Sequence, residues 1–227
     1  MWSLLVTNVT VVCCLALFWP VRAASISTQD ERQAYPLTFL DTLESSIGGS
    51  GFPDETNETE DCCAKWFECG LQFDQTIKAI FDELPACPCF FHPQMLPFGG
   101  RIEDPKHKRH FRWRDVTQLF SNKLPRQEPA EWCIEQKPEP GKLAAQHCCY
   151  NNSTMLITRG SGAGSPRLVS PSRFFLYHEK FDIQPWIDCK GDWTRYHAMR
   201  PPNNDLLCHQ NPSEKEYRLQ RLQAQSY

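Results

Sequence analysis

Ten cysteines beyond residue 23 constrain the fold of this 227-residue chain more than any other feature of its sequence. An even number of cysteines in a chain bound for an oxidising compartment indicates a disulfide framework. The pairing cannot be deduced, because eight cysteines already allow roughly 105 combinations and ten allow about ninefold more. We predict that all ten form disulfides: Cys62, Cys63, Cys69, Cys87, Cys89, Cys133, Cys148, Cys149, Cys189 and Cys208.

Two pairs of these cysteines are adjacent in the chain, Cys62-Cys63 and Cys148-Cys149. Neighbouring side chains in extended backbone point to opposite sides. We therefore expect each pair to tie its segment to two different places.

The N-terminal 23 residues, MWSLLVTNVTVVCCLALFWPVRA, contain no charged side chain before Arg22. The apolar run, with small residues Val21 and Ala23 at the end, predicts a secretory signal peptide cleaved after Ala23. The alternative is a signal anchor, since Met1 to Pro20 is just long enough to span a bilayer. In both cases the rest of the chain faces the exterior or the secretory lumen, and we expect a secreted, extracellular protein. Three sequons suit that location: Asn57, Asn151 and Asn152.

Charge and composition divide the mature chain. Residues 24–61 hold nine acidic residues against Arg32 alone, a net charge of −8, and are rich in Ser, Thr and Gly. Such a segment buries too little apolar surface to become ordered, so we predict a disordered linker. We assign 62–212 to one disulfide-rich domain and 213–227 to a short C-terminal helix and tail.

Local patterns predict an α+β to mainly β fold. Apolar residues at helical spacing predict one or two amphipathic helices over 62–84, which Pro85 ends. Four prolines make 85–100 irregular, and short β-favouring runs around Asn-Asn-Ser predict a hairpin over 146–160. Aromatic and β-branched residues predict one or two strands over 173–189, and Ser213 with Glu216 forms a capping box that opens the C-terminal helix.

The densest positive run is KHKRHFRWR, residues 106–114. It predicts a site for a sulfated polysaccharide such as heparan sulfate, with Phe111 and Trp113 adding apolar contact. The alternative is a surface strand with one basic face and with both aromatic residues packed on the core. The binding residues of the first interpretation are Lys106, Lys108, Arg109, Arg112 and Arg114.

Catalytic and metal-binding patterns are weak. A redox dithiol of Cys87 and Cys89 would form the remote enzyme alternative, although Cys87 follows a helix C-terminus, the wrong end of the dipole for a thiolate. A zinc site would draw on Cys87, Cys89, His92, His147 and Cys148, but the spacing lacks paired knuckles. Serine-hydrolase, phosphate-loop and zinc-protease motifs are missing from the sequence. We expect no enzyme, no cofactor, no metal and no nucleic-acid partner.

The segment CKGDWTRY, residues 189–196, contains Lys190, Gly191 and Asp192, a tripeptide of the type that integrins bind. An aspartate completes the coordination of a divalent cation on the receptor, and a nearby basic group reaches an acidic pocket. The glycine would let both side chains project from a sharp turn. The alternative is a structural corner between a disulfide and the buried Trp193.

Several longer blocks carry a family resemblance: DCCAKWFECG, ELPACPC, FRWRD, AAQHCCY, LITRGSGAG, FDIQPWIDCKGDW and RPPNNDLLC. Over about 62–227 they resemble the C-terminal AMOP domain of the isthmins. The resemblance implies a secreted, non-enzymatic factor that inhibits angiogenesis and binds cell-surface receptors, among them an alpha-v integrin and a heat-shock-class chaperone. The AMOP domain is the receptor-binding part of that family.

Two departures from the isthmins qualify this expectation. Residues 24–61 contain no thrombospondin type 1 repeat, and Lys108-Arg109-His110 stands where isthmins can have Arg-Lys-Asp. We therefore retain Lys190, Gly191 and Asp192 as the receptor-binding residues. The function predicted is a secreted ligand or adhesion factor with glycosaminoglycan affinity, the alternative being a structural extracellular-matrix module without signalling. After signal cleavage we expect no membrane insertion.

Overall fold

The computed structural model describes residues 61–92, 94, 96, 100–117 and 130–224. The chain forms two compact units, Met1–Gln72 and Phe73–Tyr227. The described part of the first unit is helix α1 (Cys62–Gln72). Asp61 Oδ1 accepts the backbone N–H of Ala64 at 3.0 Å and so caps its first turn. The predicted signal peptide, nearly all of the predicted linker and Asn57 lie outside the described residues.

The second unit begins with helix α2 (Asp74–Asp82), in which Ile77 is buried. The chain leaves the helix through a turn in which the Leu84 N–H donates to the Phe81 carbonyl at 3.0 Å, just before Pro85. The two helices predicted over 62–84 are confirmed. None of the helices in the described parts of the chain is both long and apolar enough to cross a membrane.

A four-stranded antiparallel sheet in the order β1-β2-β3-β4 forms the centre of the second unit. Its strands are β1 (Arg101–Asp104), β2 (Arg109–Asp115), β3 (Trp132–Gln136) and β4 (His147–Tyr150). Phe111 and Trp113 on β2 are only 3% and 4% exposed, and they join a core with Ile134 and Tyr150. The strand predicted from their alternation with arginines is confirmed.

Three disulfides link the sheet to the segments around it: Cys87–Cys148, Cys89–Cys208 and Cys133–Cys149. The adjacent residues Cys148 and Cys149 thus tie β4 to two places, as predicted. Cys63 and Cys189 are also oxidised in disulfides.

Cys62 and Cys69, by contrast, are free thiols, which corrects the prediction that all ten cysteines are oxidised. The two residues lie seven positions apart on α1, so about 10 Å of helix separates their Cα atoms. A disulfide needs Cα atoms within about 7 Å, so the helical conformation prevents these two thiols from bonding to each other.

Residues 173–189 are helical, and the predicted strands are wrong. The segment contains α3 (Phe175–His178), a π-helical stretch (Glu179–Ile183) and α4 (Gln184–Asp188). The buried residues of these three helical stretches are His178, Phe181, Asp182 and Pro185, at helical spacing. Two of the four are polar, which hid the apolar period, and Pro185 is tolerated because it occupies the first turn of α4.

Two further helices complete the second unit, α5 (Trp193–Met199) and α6 (Glu214–Ala224). The predicted capping box is confirmed, since the Ser213 N–H donates to Glu216 Oε2 at 3.0 Å and the Glu216 N–H to Ser213 Oγ at 3.4 Å. Tyr217 of α6 lies against Trp193 of α5 with ring centroids 5.6 Å apart. The mixture of helices and an antiparallel sheet, held by disulfides, confirms the α+β alternative of the predicted fold class.

The predicted hairpin over 146–160 is present in shortened form. Strand β4 turns at Asn151, whose Oδ1 accepts the N–H groups of Ser153 and Met155 at 3.0 Å each. The chain then returns through single bridges, one of which pairs Leu156 with Tyr150. Asn152 is exposed at this tip, whereas Asn151 is half-buried.

Candidate functional site

The predicted receptor-binding tripeptide forms the corner between α4 and α5. The Gly191 N–H donates to the Trp186 carbonyl at 3.1 Å, and the Lys190 N–H to the Ile187 carbonyl at 2.8 Å. These two bonds define a Schellman motif, in which the residue after the helix adopts the left-handed conformation and is usually glycine. Here Lys190 occupies that position with φ 54°, and Gly191 follows with φ 75°. The corner therefore consists of two left-handed residues in succession.

Asp192 begins the next helix. Its Oδ1 atom accepts the backbone N–H of Thr194 at 2.9 Å and the Thr194 hydroxyl at 2.6 Å, so the side chain is the N-cap of α5. Within the described residues, Oδ2 accepts no hydrogen bond. The carboxylate is thus fixed in orientation by one oxygen and has the second free for another ligand.

The exposure of the corner differs along the tripeptide. Lys190 is exposed, Gly191 and Asp192 are half-buried, and Trp193 is buried at 6% exposure. Behind the corner, the rings of Trp186 and Tyr196 meet edge to face, with centroids 5.3 Å apart. The tripeptide therefore combines both interpretations of the sequence: it is a structural corner, and its lysine reaches solvent.

The predicted polysaccharide residues differ in their ion pairing. Three of the five are neutralised by carboxylates from distant parts of the sequence. Lys106 Nζ lies 2.7 Å from Asp205, Arg109 binds Glu139 with two hydrogen bonds of 2.7 and 3.0 Å, and Arg114 Nη2 lies 2.5 Å from Glu135. Lys108 lies exposed in the β1–β2 turn, and Arg112 is exposed at the centre of β2. The burial of Phe111 and Trp113 also removes the apolar contact expected from them.

Strand register brings two other cations beside Arg112. Arg101 of β1 is its direct partner, and the Lys137 N–H, just beyond β3, donates to the Arg112 carbonyl at 2.7 Å. Both residues are exposed. The sequence pattern missed them because Lys137 stands apart from the basic run and Arg101 looks isolated; only the pairing of the strands places them together.

A buried ionic network lies under the other end of this sheet face. Glu135, fully buried, accepts the Ser170 hydroxyl at 2.7 Å and pairs with Arg167 at 3.2 Å. The Arg167 Nη1 atom faces His178 Nε2 at 3.2 Å, and His178 Nδ1 donates to the Val169 carbonyl at 2.8 Å. The Nε2 atom of this histidine therefore faces a guanidinium group. The arrangement ties residues 167–170 to the sheet.

The remaining chemical alternatives depend on thiols that the structure oxidises. Cys87 and Cys89 bond to different partners, so they do not form the redox dithiol of the remote enzyme alternative. Cys133, His147 and Cys149 place potential ligand atoms within 4.8 Å of one another, but both sulfurs belong to one disulfide. A disulfide supplies no thiolate for zinc.

These observations define the class of the protein: a disulfide-linked module of α+β fold. A family model for the AMOP domain matches residues 58–209, more than half of the chain. The chain therefore belongs to the AMOP domain family, whose members are extracellular, adhesion-related modules and are not enzymes. No solved structure matches this chain.

Proposed function

We propose that this protein is a secreted ligand of adhesion type that acts through cell-surface receptors, with an integrin as the receptor and with affinity for glycosaminoglycans. The anti-angiogenic activity of the isthmins, which the sequence resembles, is the cellular response to test. The observation that carries the proposal is the Lys190–Asp192 corner. It combines an exposed cation with a carboxylate that keeps one oxygen free, two residues apart on a fixed turn.

The fixed geometry supports binding on energetic grounds. A loop that is already held in one conformation loses less conformational entropy when it binds a receptor than a mobile loop does. Hydrogen bonds to Trp186 and Ile187 on one side and the Thr194 cap on the other hold the corner. An integrin's divalent cation would be coordinated by Asp192 Oδ2, and Lys190 would interact with an acidic group as a point charge.

A substitution at Asp192 can separate binding from folding. Asn caps helices as well as Asp does, so Asp192→Asn retains the start of α5 while it removes the negative charge that attracts a divalent cation. We expect Asp192→Asn to weaken binding to purified alpha-v integrin by at least about tenfold, which corresponds to about 1.4 kcal/mol. Binding of the wild type should also disappear when the divalent cations are chelated.

The matched control is Asp74→Asn, which removes the same charge from an exposed position in the first turn of α2. It should bind the integrin as the wild type does. Equal binding by wild type and Asp192→Asn, at equal thermal stability, would exclude the corner as the integrin site.

A structural matrix module is the second candidate, and one observation favours it. The N-cap bonds of Asp192 to Thr194 are sufficient to explain its presence at this position. The two functions differ in one assay: a signalling ligand changes the behaviour of receptor-bearing endothelial cells when it is added in solution, whereas a matrix module only supports attachment when it is immobilised.

A further inference from the structure

Three exposed cations form a row across three neighbouring strand segments of the sheet. Arg101 and Arg112 are direct cross-strand partners in β1 and β2. The pairing of Trp113 with Gln136 continues to Arg112 and Lys137, whose backbone atoms are joined by a 2.7 Å hydrogen bond. Side chains that are direct partners in an antiparallel sheet project from the same face, with Cβ atoms about 4.5–5.5 Å apart. The row therefore runs perpendicular to the strands on one face.

This arrangement places like charges directly opposite each other, which destabilises a sheet. In the described parts of the chain, no carboxylate forms an ion pair with Arg101, Arg112 or Lys137. Glu103 on the same face is the partner of His110, two pairs further towards the β1–β2 turn. Glu135, on the other side of the row, is already bound by Arg114 and Arg167.

Two other cations of the same hairpin have partners, unlike those of the row. Lys106 and Arg109 each have a carboxylate partner within 2.7 Å. Among the described residues, the positive charge of this row therefore has no carboxylate that neutralises it. An anionic ligand would relieve the repulsion between Arg101 and Arg112 and would gain charge-assisted hydrogen bonds from two guanidinium groups.

We propose that Arg101, Arg112 and Lys137 bind a sulfated polysaccharide, and that the polysaccharide lies along the row of these three cations. A linear polyanion fits a straight line of cations on a sheet face. The proposal rests on the extracellular role proposed above, and it moves the polysaccharide site away from the sequence-predicted residues, of which it keeps Arg112. Because Phe111 and Trp113 are buried on the opposite face, the binding is electrostatic and weakens steeply as salt is added.

The test is elution from immobilised heparin in a salt gradient. We expect Arg112→Glu, which reverses the central charge, to elute at a clearly lower salt concentration than the wild type. The matched control is Lys215→Glu on the exposed side of α6, which makes the same change of charge at a distance in the fold. It should elute close to the wild type, and Arg109→Glu should fall between the two. Co-elution of Arg112→Glu with Lys215→Glu would overturn the proposal.

Two further measurements separate polysaccharide binding from misfolding and from general charge attraction. The glutamate of Arg112→Glu lies between Arg101 and Lys137, so this variant should melt at or above the melting temperature of the wild type. If the variant fails to fold, the double variant Arg112→Gln/Lys137→Gln replaces it, and we expect the same loss of heparin affinity. The elution shift should also be larger on heparin than on a plain sulfonate cation exchanger. An equal shift on both resins would show general charge attraction and would refute the polysaccharide assignment.

The row and the integrin proposal can fail separately. Arg112→Glu should bind purified integrin as the wild type does, because the receptor carries no sulfated polysaccharide in that assay. Asp192→Asn should elute from heparin at the wild-type salt concentration. Loss of one binding activity in each variant, without loss of the other, supports both sites.

Discussion

Acidification should destabilise this protein through a histidine that the sequence does not single out. His197 lies on α5 against Trp193 and Tyr196, with ring centroids 5.8 and 6.1 Å away. Burial lowers the pKa of His197 from its ordinary value of 6.5 to about 4. Among the described residues its buried Nε2 atom has no hydrogen-bond partner, so nothing compensates a proton placed there.

The direction and size of the effect follow from this difference in pKa. Below pH 6.5 the unfolded chain takes up a proton at this position and the folded chain does not, so the stability present above pH 6.5 is lost as the pH falls. At about 1.4 kcal/mol per pH unit, the loss from His197 reaches about 3 kcal/mol near pH 4 and amounts to about 2 kcal/mol between pH 7 and pH 5. His147 adds to the loss in the wild type and in the variants alike, because burial, and then the charge of Arg167, lower its pKa as well.

The assay is urea denaturation at pH 7 and pH 5, with the disulfides intact, for wild type and His197→Phe. The variant keeps an aromatic side chain beside Trp193 but cannot titrate. We expect it to lose about 2 kcal/mol less stability than the wild type over this interval. A His197→Gln variant controls for altered packing and should show the same reduced dependence on pH. If both variants lose as much stability as the wild type does, the assignment of the pH dependence to His197 is wrong.

Three further predictions concern single positions. Alkylation of the unreduced protein should label Cys62 and Cys69 and leave the other cysteines unlabelled, and mass spectrometry counts the labels. Because burial raises the pKa of Cys69, the labelling of this residue should become faster as the pH is raised. Lys190→Gly should raise the free energy of unfolding by about 1 kcal/mol, because glycine adopts the left-handed conformation without the penalty of a side chain, and a lower value would contradict the Schellman assignment. Asn152→Gln should abolish the glycan of the 151–154 turn in secreted protein while Asn151→Gln leaves it in place, since the Asn151 side chain is already bound within the turn; the glycoform masses decide.

The parts of the fold that the sequence predicts are those in which one local period describes both the backbone and the burial. Phe111 and Trp113 alternate with arginines, and the burial of strand β2 follows the same alternation. Ser213 and Glu216 interact within one helical turn, so the pattern and the contact coincide. Such features depend on neighbours within a few residues and require no knowledge of the tertiary structure.

The segment 173–189 shows why other parts could not be predicted. Its buried positions follow a helical period only when His178 and Asp182 are counted as core residues. Asp182 is buried because it accepts the N–H groups of Leu168 and Val169 at 2.8 and 2.9 Å, from a loop more than a dozen residues away. A polar side chain is expected to be exposed until its distant partner is known.

The candidate binding residues divide in the same way. The basic run of β2 is visible in the sequence, but the carboxylates that neutralise Arg109 and Arg114 come from Glu139 and Glu135. Strand register places Arg112 between two other cations, so that it lies in a row of like charges. Sequence therefore located the basic hairpin, and only tertiary structure distinguishes its paired cations from its unpaired ones.

Folding alone accounts for two of the three residues of the Lys190–Asp192 corner. Asp192 caps α5, and an N-cap contributes about 1 kcal/mol, so stability explains it. Gly191 has φ 75°, which glycine adopts freely, so the turn explains it. Lys190 is different, because a side chain at φ 54° costs about 1 kcal/mol and the lysine is exposed to solvent. Lys190→Gly therefore complements Asp192→Asn: if it raises stability and weakens integrin binding together, the lysine is retained for recognition, and if binding is unchanged, the corner is structural.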